Sequence, residues 1–306
     1  MRVGLIDCDS HNFPNLPLMK LSAWHKAQGD AVEWFDPLDC DFNRVYCAKV
    51  FGFSSDYQYP INAGEVIFGG SGYCIKRKDN REYYDTSADH ALPDEIEHIF
   101  PDYSLYERTS GTAYGFLTRG CPRGCPFCHV AAKEGRQTRR VAHISEFWSG
   151  QKNIVLLDPN LLAARERLEI LQEIAETKAA VNFCQGLDIR LFSDDIIREL
   201  AKIRVKALHI AYDSMDNSKL IEANIEQYIS QTSAKTKITC YILTNYNTTL
   251  AEDLHRIEFC RRMKINPYPM IYDKTHADLI YRKLQRYCNP YIFWSIKSFE
   301  EYQKVQ

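Results

Sequence analysis

The stretch Arg119-Gly-Cys121-Pro-Arg-Gly-Cys125-Pro-Phe-Cys128-His129 decides how the rest of the chain is read. Three cysteines fall within eight residues at the spacing C-x3-C-x2-C, accompanied by two glycines and two prolines. A strand-like apolar run, Tyr114-Gly-Phe-Leu-Thr118, leads into them. A strand that runs into a cysteine loop can hold a soft metal or a cluster at one end of a sheet.

Downstream of this loop the pattern is regular. Strand-like runs occur at Tyr114–Thr118, Asn153–Leu157, Val181–Cys184, Lys206–Ala211, Lys237–Leu243 and Ile265–Tyr272. Helical spacing of apolar residues lies between and after them, over 161–177, 193–203, 215–230, 250–263 and 276–287. Ser193, followed by Asp194 and Asp195, reads as an N-cap with acidic residues in the first turn, which suits the helix dipole. Strand-to-strand intervals of roughly 25–35 residues are what βα units need. Six such units make about three quarters of an eight-unit barrel. Ligands bind at the C-terminal ends of strands in parallel α/β arrays, and the cysteine loop is expected on that face.

Upstream, residues 1–75 read as a small, reduced doubly-wound α/β domain. Val3–Ile6 is a short strand, 16–28 a helix ended by Gly29, and 32–35, 44–51 and 65–68 are further strands. Residues 76–110 carry charge, Tyr and Pro without a sustained period and are expected to be a linker wrapping over the surface. The partial barrel is assigned to 111–294. A polar tail, 295–306, is expected to fray.

Composition narrows the class. The chain has 306 residues, 45% hydrophobic and 25% charged, so it is an ordinary globular sequence of one large or two smaller domains. Its net charge of −2 offers no global field for nucleic acid or an anionic membrane. No apolar run reaches the ~18 residues of a membrane span, and the N-terminus opens on a strand rather than a signal peptide. The expected location is therefore cytoplasmic. The eight cysteines outside the loop (Cys8, Cys40, Cys47, Cys74, Cys184, Cys240, Cys260 and Cys288) are expected to be small buried hydrophobes.

Four chemistries compete for the loop. Structural zinc wants four ligands, commonly from two paired knuckles, and no second pair is near. Cys125-Pro-Phe-Cys128-His129 matches the C-x-x-C-H pattern of c-type haem attachment, which needs an oxidising compartment. A redox C-x-x-C would not carry the third cysteine. An iron–sulfur cluster fits best, since thiolates are its usual ligands and three of them leave one iron of a cubane open to an exogenous chelator. Arg119 and Arg123 would put positive charge beside it.

With Phe127 as the aromatic, C-x3-C-x-aromatic-C resembles the signature of the radical S-adenosylmethionine (SAM) superfamily, and the six βα units are similar to its partial barrel. The resemblance covers about residues 100–300. It implies a [4Fe-4S] cluster on Cys121, Cys125 and Cys128, with SAM chelating the fourth iron. It also implies reductive cleavage of SAM to methionine and a 5′-deoxyadenosyl radical that takes hydrogen from an unidentified substrate. An electron donor such as flavodoxin or ferredoxin is implied as a partner. Phe127 is expected near the adenine. Asp158 or Asn160 would take the SAM amino group in place of the family's Gly/Glu-type motif. Arg190 would hold the SAM carboxylate, unless it forms a loop salt bridge with Asp188. Asp213 would meet a ribose hydroxyl, unless it caps the next helix.

The sequence before the loop resembles the branch of that superfamily with a cobalamin-binding-type N-terminal domain. There an Asp-x-His-x-x-Gly motif supplies the lower cobalt ligand. Asp9-x-His11 stands in a matching loop, but Pro14 replaces the glycine and the unit is short of helices. Cobalamin is accordingly not expected. Two alternatives remain: a cobalamin-dependent radical methyltransferase, and a non-catalytic iron–sulfur binding or redox-sensing protein.

Overall fold

The structure is a computed structural model of the chain and describes residues 1–11, 13–39, 41–78, 81–109, 111–232 and 236–305. Cys40 lies outside these. The chain divides into two compact units, Met1–Ile154 and Val155–Gln306.

In the first unit, β1 (Arg2–Asp7), β2 (Ala31–Trp34), β3 (Phe42–Ala48) and β4 (Ala63–Gly69) form a parallel sheet in the order β2-β1-β3-β4. The two central strands bury Val3, Leu5, Ile6, Val45 and Cys47, the near-continuous apolar run of a strand covered on both faces. One long helix, α1 (Leu16–Ala27), serves this sheet. Asn15 caps it by accepting from the Leu18 amide at 3.3 Å, and Gly29, at φ +81°, follows its end. Within residues 1–75 the only other helix is the single turn α2 (Ser71–Cys74), among the described residues.

Residues beyond β4 depart from the expected linker. After the single turn α2 (Ser71–Cys74), β5 (Ile75–Lys78) and β6 (Arg81–Tyr84) pair as an antiparallel hairpin, and α3 (Asp94–Glu97) follows. Ile96 joins the core of Val3, Leu5, Leu18 and Leu21, and the Tyr106 hydroxyl donates to Asp7 at 2.6 Å. Isolated anchors of this kind have no period, which is why the sequence reads as featureless there.

Asp102 is the polar anchor. Ser22 Oγ, Lys26 Nζ and Ser104 Oγ each donate to its carboxylate at 2.6 Å, and the Ser104 amide does so at 3.0 Å. Burial raises its pKa, but the hydrogen bonds of Lys26, Ser104 and Ser22 outweigh burial and hold it below the ordinary value. A depressed folded pKa contributes stability that is present above the unfolded value of about 4 and lost as pH falls through the folded one. Asp102→Asn should cost about 1.5–3 kcal/mol at neutral pH. In acid the gap to wild type should shrink, which urea denaturation at a series of pH values would measure.

The first unit continues with β7 (Thr112–Gly115), β8 (Thr118–Arg119), α4 (Val130–Glu134) and β9 (Arg139–Arg140). The run expected as one strand to Thr118 is broken after Gly115. A Cβ on Gly115 would lie 2.3 Å from the Phe147 ring, and the Leu117 carbonyl turns to accept from the Val141 amide at 2.9 Å. Thr118–Arg119 then pairs antiparallel with Arg139–Arg140 in a separate ribbon. The cysteine loop thus leaves this ribbon and not β7 itself.

β10 (Asn153–Leu156) spans the division between the units. After it come α5 (Arg167–Glu176), β11 (Ala180–Phe183), α6 (Asp194–Lys202), β12 (Arg204–Ala211), α7 (Ser218–Gln231), β13 (Lys237–Thr244), α8 (Leu250–Arg262), β14 (Asn266–Ile271), α9 (Leu279–Tyr287), α10 (Pro290–Phe293) and α11 (Phe299–Val305). The fold is mixed α/β, with a second parallel sheet of six strands in the order β14-β13-β12-β11-β10-β7. Ser193 caps α6 as expected, and Thr249 with Glu252 forms a capping box on α8. Leu208, Ile210, Cys240 and Ile242 are buried on one face of this sheet. His209 and Tyr241 stack on its other face, with Tyr268 edge-on beside them.

The tail also departs from expectation. Phe299 and Tyr302 are buried and both pack on Tyr287, so the polar stretch carries two apolar anchors at helical spacing. No helix among the described residues is long and apolar enough to cross a membrane.

Candidate functional site

The cysteine loop is held at its base. Gly120 sits at φ +89°, and a Cβ there would lie 2.2 Å from the Gln137 carbonyl oxygen, so only glycine lets the two strands of the ribbon close. Thr138 Oγ1 donates to the Gly120 carbonyl at 3.0 Å, the Gly120 amide donates to Glu134 at 3.0 Å, and the Cys121 amide donates to the Gly135 carbonyl at 3.1 Å. Gly124, at φ +58°, makes a second left-handed turn, and the Cys128 amide closes a turn on the Cys125 carbonyl at 3.0 Å. Cys121 and Cys125 are half-buried and Cys128 is exposed.

Arg119 does something other than expected. Its guanidinium pairs with Glu134 at 3.0 Å and Glu97 at 3.3 Å and lies 3.5 Å over the Phe116 ring. Its partners stand on α3 and α4, so it ties both to the base of the loop. His129, next to Cys128, lies 3.5 Å from Glu82.

In kind, the donor set suits an iron–sulfur cluster, with three thiols on one backbone-anchored loop. Among the described residues, however, no group of three or more His, Cys, Asp or Glu side chains is gathered to hold a metal ion. Donor type and loop closure are of the kind such a cofactor needs.

The second unit carries the polar residues singled out at the strand ends. Asp158 and Asn160, just past β10, are both buried. Asn160 Nδ2 donates to Asp188 Oδ2 at 3.3 Å. Asp188 accepts from the Arg190 amide and takes its guanidinium at two points, Nε to Oδ1 at 2.7 Å and a terminal nitrogen to Oδ2 at 3.1 Å. The loop salt bridge weighed for Arg190 is therefore formed, and it binds Asn160, Asp188 and Arg190 into one network. Asp213 does not cap the next helix, whose N-cap is Asn217. It accepts instead from the Leu243 amide at 3.2 Å, tying the end of β12 to β13. Burial pushes its carboxyl pKa up, against the pull of that amide and of Arg256 and Arg190. At the end of β13, Asn245 donates to the Tyr272 carbonyl at 2.9 Å.

Sequence reading missed Arg256 altogether. It is fully buried from α8 and donates to the Tyr212 carbonyl at 2.5 Å, the Leu243 carbonyl at 3.0 Å and Thr248 Oγ1 at 3.1 Å, besides pairing with Asp253. It clamps the ends of β12 and β13 next to Asp213. The only sequence signal is its helical offset onto the face of Ile257 and Cys260.

In the first unit, the Asp9 carboxylate is buried and accepts from the Val50 and Phe51 amides at 2.9 and 2.8 Å. It orders the segment after β3, while the cap on α1 is Asn15. No protein-family model matches the chain, and no curated protein matches it by sequence.

Proposed function

We propose that the chain is a radical SAM enzyme built on a partial barrel of six βα units. In this reading Cys121, Cys125 and Cys128 hold a [4Fe-4S] cluster, which with bound SAM supplies one-electron reductive cleavage of the sulfonium. The observation that carries it is the C-x3-C-x2-C loop itself, turned at two left-handed glycines and anchored at its base by Glu134 and Thr138. The chain's own residues have simple tasks. The loop presents three soft donors, and Phe127 offers its ring to the adenine. Asp158 or Asn160 takes the amino group. Arg190 is engaged at two points by Asp188, so its task is to fix Asp188 and Asn160 beside the amino group rather than to hold the carboxylate. Asp213 takes a ribose hydroxyl. A reduced electron carrier such as flavodoxin or ferredoxin would deliver the electron.

The test is anaerobic reconstitution with iron and sulfide, followed by dithionite and SAM. Production of 5′-deoxyadenosine and methionine is expected. Iron and sulfide incorporated without any 5′-deoxyadenosine would sink the enzyme and leave a binding protein.

A further inference from the structure

Cys8 and Cys47 stand 39 residues apart in sequence, yet their sulfurs lie 3.5 Å apart in the first unit. The adjacency comes from the sheet order, which places β3 directly beside β1. Cys47 is in β3 and almost fully buried, while Cys8 follows the last residue of β1 and is half-buried. The Tyr73 hydroxyl lies 3.4 Å from the Cys47 sulfur and 3.8 Å from that of Cys8. Lys49 Nζ lies 4.6 Å over the Tyr73 ring. Ile6, Phe42 and Val45, with Phe35 and Tyr57 packed against them, form the apolar part of the surroundings, and the carboxylates of Asp9 and Asp56 are near enough to act on Cys8 and Cys47 respectively. Two thiols side by side, one reachable from solvent and one behind it, are the attacking and resolving halves of an exchange site.

We infer that Cys8 and Cys47 form a redox-active dithiol that exchanges with small-molecule disulfides, independently of the cysteine loop. Cys8 is the attacking sulfur. Its contact with Cys47 lowers its pKa to about 7, more than burial raises it, and Tyr73 helps, whereas Cys47 is pushed up by the same contact and by burial. The Cys8 thiolate attacks one sulfur of a disulfide RS–SR. The new Cys8–SR bond forms, the RS–SR bond breaks, and RS⁻ leaves and takes a proton from water. Cys47, giving its proton to water, then attacks the Cys8 sulfur. The Cys8–Cys47 bond forms, the Cys8–SR bond breaks, and a second RS⁻ leaves to be protonated. Two electrons pass from the cysteine pair to the reagent, and the products are one protein disulfide and two RSH. Closing to the S–S bond of about 2.05 Å draws the sulfurs together by the freedom of the bend that follows β1.

The test uses the whole reduced protein treated with oxidised glutathione, alkylated and digested with trypsin. The expected product is a linked pair of peptides covering 3–20 and 45–49, with neither Cys8 nor Cys47 alkylated. Cys47→Ser should stop the reaction at a glutathione adduct on Cys8, and Cys8→Ser should leave Cys47 a thiol. Circular dichroism checks that both variants fold; the wild-type peptide map stands without them. Full alkylation of Cys8 and Cys47 after treatment that modifies Cys128 would overturn the proposal. So would a wild-type map in which Cys8 keeps its glutathione or pairs with another cysteine.

Discussion

Cys125→Ala is expected to bring bound iron to background after reconstitution and to abolish 5′-deoxyadenosine formation, while the circular dichroism spectrum and urea midpoint stay near wild type. The physical case separates ligand from scaffold. The loop is closed at its base by backbone and side-chain bonds from Gly120, Cys121, Glu134 and Thr138. The turn between Cys125 and Cys128 is made by main-chain atoms, which alanine retains. Cys125 is half-buried, so deleting one sulfur opens little cavity. With two thiolates left, the loop lacks the donor set for a cubane. A variant that still takes up a full cluster would refute the ligand assignment, whatever its activity.

Arg256→Ala is expected to destabilise the protein by about 3–5 kcal/mol, the cost of leaving a buried ionic partner unpaired. Both Arg256 and Asp253 have side chains with no exposure. Removing the guanidinium leaves buried Asp253 with only the Thr248 hydroxyl and takes a donor from the carbonyls of Tyr212 and Leu243. Arg256→Lys should recover little, because an ammonium on a flexible stem does not reproduce a fork that reaches two strands and a carboxylate at once. Replacing the pair together, Arg256→Met with Asp253→Leu, should do better than Arg256→Ala but fall short of wild type, since the two carbonyls remain unserved. Denaturant midpoints of the four proteins decide the order.

Much of the fold was legible because it is written locally. The strands of both sheets announce themselves as β-branched and aromatic runs, and Ser193 with Asp194 and Asp195 marks a helix start within four residues. The three loop cysteines are adjacent in sequence and could be found without a structure. What could not be read depends on pairing. Cys8 and Cys47 meet only because β1 and β3 are neighbours, and nothing in either segment states the strand order. Arg256 looks like one more basic residue in a helix rich in them, yet burial depends on how α8 is rotated against β12 and β13. Residues 76–109 offer single anchors, such as Ile96 and Asp102, where a period would be needed for detection.

Tyr287 gives the chain's last segment a constraint of another kind. Its ring meets Phe293, Phe299 and Tyr302, and its hydroxyl accepts from Arg261, which in turn lies 3.9 Å over Phe293. Five side chains from four successive helices thus share one volume at close packing. Substitution at any one of them changes the space left to the others, so in descendants of this sequence these positions would drift together, and a change of ring size at Tyr302 would be accompanied by its complement at Phe299 or Phe293.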